Sequence, residues 1–158
     1  MHPYNSAGQV LTMQYPANNA NQAGELLRYS YRPQDSLDGF CQWAGIYCSY
    51  AYVSTSLYNA AGQLEYRGFG SNLLCTDYVY FPWNTVNGVG RLKRLLSGVP
   101  TSCGSLQDLR YYEGTNQTPT HDAVGNLLKI KNQSTGGQVQ TFGYDSLNRL
   151  DWAYSSGG

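Results

Sequence analysis

The chain has 158 residues, a length that on its own suggests a single compact domain. Ten basic and ten acidic side chains give a formal net charge of zero, and only 13% of the residues are charged. Nucleic-acid-binding proteins usually carry a basic face, so this balance argues against a nucleic-acid partner. No apolar run approaches the ~20 residues that a membrane-spanning helix needs.

The first 39 residues predict two strands separated by irregular segments. The predicted strands are residues 10–15 and 26–31, and the irregular segments are residues 16–24 and 33–39. In the first strand apolar residues recur at every second position, which is typical of a strand with one buried face. The first irregular segment is rich in Asn, Ala and Gly, which favour loops.

Residues 40–52 form the most aromatic stretch of the chain and also contain two cysteines. We interpret this stretch as a cysteine-stapled loop packed on the sheet. The alternative is a contact surface for a ligand or a protein. The residues of that candidate contact patch are Phe40, Trp43 and Tyr47.

From residue 50 onwards, short strands are predicted at regular spacing. They are residues 50–58, 64–69, 73–81, 91–96, 106–112, 127–131, 139–144 and 150–154. Residues 113–119 are polar and predict an inserted loop. No segment keeps a helical period, and Gly and Pro interrupt the chain throughout. The sequence therefore predicts an all-β fold of repeated antiparallel hairpins without substantial helix.

A seven-residue pattern recurs along the chain. It reads YNSAGQV at residues 4–10, YNAAGQL at 58–64, HDAVGNL at 121–127 and YDSLNRL at 144–150. Asn or Asp can bond the backbone two residues on, and Gly or Asn tolerates the positive φ of a tight turn. Each copy therefore predicts a β-hairpin turn, and four copies indicate a repeat architecture. The turn residues are Tyr4, Asn5, Gly8, Tyr58, Asn59, Gly62, His121, Asp122, Gly125, Tyr144, Asp145 and Asn148.

Two degenerate copies fill the gaps between the clear ones. The copy that begins YRPQD at residue 31 is expected to place its turn downstream, near Asp38 and Gly39. The copy that begins YFPWN at residue 80 runs on to Gly90-Arg91-Leu92, which indicates a turn lengthened by an insertion. The aromatic anchors then lie at residues 4, 31, 58, 80, 121 and 144. We predict one repeat array over residues 1–158.

No catalytic, cofactor or metal motif is found in the sequence. There is no nucleophile elbow, zinc-protease helix or phosphate loop, and the cysteine and histidine spacings do not fit zinc. His121 stands where the repeat has Tyr, so we interpret it as a structural substitute. Asp122 and Asp145 occupy the turn position and are expected to bond backbone amides. We therefore expect no enzyme activity, no cofactor and no metal site.

The chain resembles the YD-repeat or RHS proteins, whose signature unit is Tyr-Asp-x-x-Gly-Arg-Leu. The heptads carry this resemblance, and residues 52–59, 106–111 and 142–145 also read like bacterial RHS sequence. The family includes shells of bacterial polymorphic toxins, cocoons of insecticidal toxin complexes and the teneurin adhesion proteins. The resemblance implies an antiparallel β-strip that spirals into a hollow wall. This chain lacks the Asp-Pro-x-Gly-Leu segment of the toxin shells and is too short to enclose a cargo alone.

The resemblance also bears on the four cysteines, Cys41, Cys48, Cys75 and Cys103. Members of the family are extracellular, and disulfides persist in oxidising compartments. Together with the even number, this favours two disulfides, with buried free cysteines as the alternative. Three connectivities are open. We favour Cys41–Cys48 and Cys75–Cys103, which join near neighbours along the strip.

Three functions are compatible with the sequence. The first is a non-catalytic scaffold that builds an extracellular wall or a self-associating fibre. The second is a wall segment of a toxin-encapsulating shell, and the third is an adhesion module that binds glycans. Met1-His2-Pro3 leads straight into the first repeat without a signal-peptide pattern, so we expect a segment of a longer exported protein.

The expected partners are copies of the chain itself or adjacent YD repeats, which would pair through the edge strands. Glycans, or a toxin cargo in a longer protein, are the other expected partners. The edge strands predicted at residues 10–15 and 150–154 carry almost no charge. Natural sheets usually protect such edges with charge or proline, so we expect pairing beyond both ends.

Overall fold

The structure, a computed structural model, describes residues 4–17, 23–134 and 136–157. Every element that it contains within these residues is a β-strand. The strands are β1 (Thr12–Gln14), β2 (Leu26–Tyr31), β3 (Leu37–Trp43), β4 (Cys48–Tyr58), β5 (Leu64–Phe69), β6 (Leu74–Tyr80), β7 (Leu92–Val99), β8 (Ser102–Arg110), β9 (Tyr112–Glu113), β10 (Thr118–Pro119), β11 (Lys129–Asn132), β12 (Gln138–Tyr144) and β13 (Leu150–Ser156). The predicted all-β fold is confirmed.

Eleven strands form one antiparallel sheet whose order follows the chain, β1 to β8 and then β11 to β13. The remaining strands, β9 and β10, pair with each other and with no other described strand, so they are an insertion between β8 and β11. Antiparallel neighbours can be joined by short turns, which is why a chain of hairpins produces this order. Within the described residues the structure has no helix with the length and apolar character that a membrane crossing requires.

The contacts divide the chain into two compact units, Met1–Cys75 and Thr76–Gly158. In the first unit β1 to β5 pair in succession, and Leu27, Cys41 and Val53 are buried. The rings of Tyr29, Phe40 and Tyr52 form a ladder across β2, β3 and β4, with centroids 5.5 and 5.7 Å apart. Cross-strand aromatic contacts of this kind stabilise the pairing of neighbouring strands.

Several predictions for the first unit need correction. Residues 40–52 are not a loop on the sheet, because β3 and β4 form a hairpin within it around Gly45, whose φ is +89°. Residues 33–39 were expected to be irregular, yet β3 begins at Leu37. Aromatic residues occupy both faces of β3, Phe40 on one and Trp43 on the other, which hides the period-two signal. Strand β1 is shorter than predicted, and residues 18–22 of the predicted loop lie outside the described residues.

In the second unit β7 and β8 form a hairpin, and β11, β12 and β13 follow one another in antiparallel pairs. Strand β7 ends later than predicted and β8 begins earlier than predicted. The two strands are joined by a tight turn, where Val99 lies opposite Ser102. The polar stretch predicted as an inserted loop, residues 113–119, contains the β9–β10 hairpin. Phe81, Asp108 and His121 are among the buried side chains of this unit.

Candidate functional site

The repeat turns share one geometry, described here by the seven positions of the heptad. The aromatic residue at position 1 lies opposite the aliphatic residue at position 7 in each clear copy. The pairs are Tyr4–Val10, Tyr58–Leu64, His121–Leu127 and Tyr144–Leu150. The two strands of each hairpin therefore leave the turn from equivalent positions, which brings every copy into the same register.

The Asn or Asp side chain at position 2 holds the turn together. The Oδ1 atom of Asn59 accepts hydrogen bonds from the amides of Ala61 and Gln63, both at 3.0 Å. Asp145 accepts from the equivalent amides of Leu147 and Arg149, both at 2.9 Å. Asn5 and Asp122 make the same contacts in their own copies.

Position 6 complements position 2 in each copy. Asn59 donates to the amide oxygen of Gln63 at 2.8 Å, and the guanidinium of Arg149 donates to the Asp145 carboxylate at 2.8 Å. The hydrogen bonds from the amide and the guanidinium of Arg149 lower the pKa of Asp145. The Asp residues of the turns therefore act as charged hydrogen-bond acceptors for their own backbone.

Position 5 has a positive φ in every clear copy. The values are +79° at Gly8, +77° at Gly62, +105° at Gly125 and +59° at Asn148. Only Gly and, less readily, Asn adopt this region at low cost. The choice of residue at this position therefore follows from the backbone of the turn.

Replacing Gly62 by Val is expected to lower the free energy of unfolding by roughly 1–3 kcal/mol, because a β-branched residue is strained at positive φ. A Cβ on Gly62 would meet no heavy atom within 4 Å, so the cost is conformational and involves no clash. Thermal melting measures it. The control is Ala61→Val at the exposed position before it. Equal midpoints for the two variants would contradict the turn assignment.

The two degenerate copies differ in how they reach this geometry. The turn of residues 31–37 does not move downstream to Asp38 and Gly39, because Asp35 itself has a φ of +61°. The Arg32 amide donates to Ser36 O at 2.9 Å, as in the clear copies. The copy that starts at Tyr80 is lengthened as predicted, and the Phe81 amide donates to Arg91 O across the longer loop at 2.9 Å.

Bonds from one copy to the next were not predicted from the sequence. The hydroxyl group of the position-1 Tyr donates to the backbone carbonyl at position 7 of the preceding copy. These bonds are Tyr31 to Val10 at 2.9 Å, Tyr58 to Leu37 at 2.8 Å and Tyr144 to Leu127 at 3.0 Å. The sequence feature that could have indicated these bonds is the presence of Tyr, rather than Phe, at position 1, because only Tyr has a hydroxyl group to donate.

His121 occupies position 1 without a tyrosine hydroxyl group. His121 is buried, and the centroid of its ring lies 6.3 Å from that of Tyr111 and 6.4 Å from that of Phe81. Its Nδ1 atom has no hydrogen-bond partner among the described residues. Burial, followed by the charge of Arg91, lowers the pKa of His121. The neutral imidazole therefore fills the place of a Tyr ring.

The candidate contact patch is not one surface. The Phe40 ring stacks on Tyr29 in the aromatic ladder, whereas Arg28 lies over the Trp43 ring at 4.2 Å. Tyr29 pairs with Phe40 and Arg28 with Cys41, and side chains alternate along a strand, so Phe40 and Trp43 point to opposite faces. Tyr47 lies apart from both in the hairpin turn, with 59% of its surface exposed.

The structure contains two disulfides. Cys41 in β3 is bonded to Cys48 in β4, across the hairpin that contains Gly45. Cys75 and Cys103 are disulfide-bonded as well, so none of the four cysteines is a free thiol.

Intact mass after alkylation without reductant is therefore expected to show no modified cysteine, and four after reduction. A cross-link that closes a short loop typically stabilises by about 2–3 kcal/mol. We expect the Cys41→Ser/Cys48→Ser variant to melt at a lower temperature accordingly. Four alkylated cysteines in the unreduced protein would contradict the assignment.

A buried carboxylate is held by two arginines on the β7–β8 hairpin. Asp108 accepts hydrogen bonds from Arg94 at 2.7 and 2.9 Å and from Arg110 at 2.8 Å. Burial raises the pKa of Asp108, but the bonds and charges of the two arginines outweigh this effect and lower the pKa to about 2. The described residues contain no group of three metal-ligating side chains.

The fold is similar to long chains of solved toxin-complex structures. A chain of the TcdB2-TccC3 crystal structure matches with a TM-score of 0.69 and 24% identity over 97% of this chain. The crystal structure of TcdB2-TccC3 without the hypervariable C-terminal region matches with a TM-score of 0.70 and 24% identity, also over 97% of this chain. A chain of the Tc holotoxin pore of Photorhabdus luminescens matches with a TM-score of 0.68 and 25% identity over 95% of this chain.

No protein-family model and no curated protein matches the chain. The chain spans only 6–7% of the length of these solved chains. Almost all of this chain thus shares its fold with a short stretch of much longer toxin-complex proteins.

Proposed function

We propose that the chain is a non-catalytic wall segment of the RHS or YD-repeat kind, built to be continued by further repeats. The observation that carries this proposal is the set of three bonds in which the hydroxyl groups of Tyr31, Tyr58 and Tyr144 donate to a backbone carbonyl of the copy before. These bonds join successive hairpins, and neither partner belongs to a catalytic group. The similarity to a short stretch of long toxin-complex chains supports the same role.

The two edge strands support continuation of the sheet. Among the residues that the structure describes, strand β1 pairs only with β2, and β13 pairs only with β12. All residues of β13 are exposed, including Leu150, Trp152 and Tyr154 at 58%, 48% and 57%. An apolar strand with an unpaired edge is a template for another strand. In a longer chain, that strand belongs to the next repeat.

The proposal places the protein outside the cell. Both disulfides require an oxidising compartment to form and persist. In this setting the segment contributes to a wall around, or beside, another part of the same assembly, as in the toxin-encapsulating shells of the family it resembles. The chemistry of such an assembly would reside in other domains.

A self-associating fibre is the second candidate, and it is favoured by the same free edges. Pairing of β13 of one copy with β1 of another is a heterologous contact, which propagates unless the rotation closes a ring. The zero net charge provides no long-range repulsion between copies. The two candidates differ in whether the partner strand lies on the same chain.

Light scattering and electron microscopy of the 158-residue chain test both candidates. We expect association through β13, weakened by Tyr154→Lys, which adds a charge to the edge strand. The control is Val124→Lys, at a turn residue with 67% exposure. Long regular fibres would favour the fibre, and short heterogeneous oligomers the wall segment. A monodisperse monomer with slowly exchanging outer amides in β13 would contradict both.

A further inference from the structure

A groove in the second unit lies between the sheet and the inserted β9–β10 hairpin. Its volume is about 430 Å³, and its lining includes Arg110, Tyr112, Thr120, Lys129 and Lys131. Ligand sites in proteins typically measure about 300–1,000 Å³, so the groove has room for a small molecule.

The hairpin that forms one wall of the groove is anchored to the sheet. The Thr120 hydroxyl group donates to Lys129 O at 2.6 Å, and the Leu128 amide donates to Thr120 O at 2.8 Å. The position of Tyr112 and Thr120 relative to β11 therefore rests on hydrogen bonds at the base of the insertion. The groove is part of the folded unit.

Two cations that line the groove, Arg110 and Lys131, belong to a row of cations at directly opposite positions of neighbouring strands. Arg94 in β7 lies opposite Arg110 in β8, and Arg110 lies opposite Lys131 in β11. Like charges placed directly opposite each other destabilise a sheet. A row of three such residues is therefore stabilised by negative charge close by.

The protein supplies only part of that negative charge. Asp108 neutralises one unit of charge between Arg94 and Arg110, and Glu113 pairs with Lys129. Lys131 makes no ion pair with any residue in the described part of the chain. The four cations named here exceed the two carboxylates that pair with them, Asp108 and Glu113, by two, in a chain whose net charge is zero.

The geometry points to a binding site for an acidic sugar, in which the anionic group contacts Arg110 and Lys131. Arg presents a planar set of N–H donors and Lys a compact charge, and both bind carboxylate, sulfate and phosphate. The groove is much larger than such a group alone, and its lining includes the aromatic ring of Tyr112, which lies 5.9 Å from the Arg110 guanidinium and is a surface on which a sugar ring can pack beside that cation. This site does not depend on the proposed wall function.

Isothermal titration of the intact protein at low ionic strength tests the site. The probes are glucuronic acid, glucose 6-sulfate and glucose 6-phosphate, with glucose as the neutral reference. We expect saturable binding of at least one acid, weaker binding of glucose, and a loss of affinity as salt is added. The acid that binds most tightly identifies which anionic group the groove takes.

Lys131→Gln is the informative variant, because Lys131 makes no described ion pair whose loss would disturb the fold. We expect it to weaken binding of the preferred acid about tenfold, the usual effect of losing a charged hydrogen bond. Arg28→Gln in the first unit removes the same charge elsewhere and serves as the control, and we expect it to bind as the wild type does. Thermal melting of both variants checks that they are folded.

Four results would overturn the proposal. The first three are no saturable binding of any of the three acids, binding of glucose as tight as that of the acids, and equal affinities for the wild type and Lys131→Gln. An equal loss of affinity in Arg28→Gln would also overturn it, since the effect would then come from net charge alone.

Discussion

The Asp108→Asn variant is expected to unfold with a free energy lower than that of the wild type by about 3 kcal/mol. Asp108 is only 6% exposed and is the only carboxylate that pairs with Arg94 and Arg110 in the described structure. Its removal leaves two cations opposite each other on β7 and β8 without compensation. Urea unfolding at neutral pH measures the loss.

The same carboxylate predicts a dependence of stability on pH. Its pKa of about 2 in the folded protein lies below the ordinary value of 3.8. The contribution is therefore complete above about pH 5 and is lost as the pH falls through the folded pKa. We expect the wild type to lose stability between about pH 5 and pH 2, and Asp108→Asn to lose less over that range.

Asp151→Asn provides the matched control for this prediction. Asp151 lies in the exposed strand β13 and makes no ion pair among the described residues. Its replacement should change the free energy of unfolding by less than about 0.5 kcal/mol. If both variants lost equal stability, the pairing of Asp108 with the two arginines would not be what stabilises the hairpin.

The Phe81→Asn variant is expected to destabilise the protein by about 3–4 kcal/mol. Phe81 stands at position 2, where the clear copies have Asn or Asp, so the repeat pattern alone predicts that Asn is tolerated there. In the structure its side chain is 3% exposed and lies beneath the lengthened loop, where a Cβ on Gly88 would come within 2.9 Å of it. Loss of the ring leaves a cavity that a polar amide cannot fill.

Thermal melting compares Phe81→Asn with Val86→Ala, which removes an apolar side chain from the same loop. Val86 is 81% exposed, so its replacement should leave the midpoint almost unchanged. A midpoint for Phe81→Asn at or above that of the wild type would show that this copy uses the ordinary turn, and that the loop does not fold around the ring.

The sequence by itself determined the repeat turns. Asn59 bonds amides two and four residues along the chain, and Gly62 supplies the positive φ within the same heptad. Every contact that defines such a turn lies within seven residues, so local residue preferences are sufficient to predict it. Strand β2 was predicted at its observed bounds for a similar reason, since its flanking segments carry loop residues.

Only the tertiary structure decided which residues meet across strands. The turn at Asp35 was missed because Asp at positive φ is uncommon and follows here from the pairing of Tyr31 with Leu37. The row of Arg94, Arg110 and Lys131 depends on β11 pairing with β8 past an inserted hairpin. A shift of one residue in either register would move these side chains to opposite faces. Such registers depend on contacts between distant segments, which no local pattern in the sequence records.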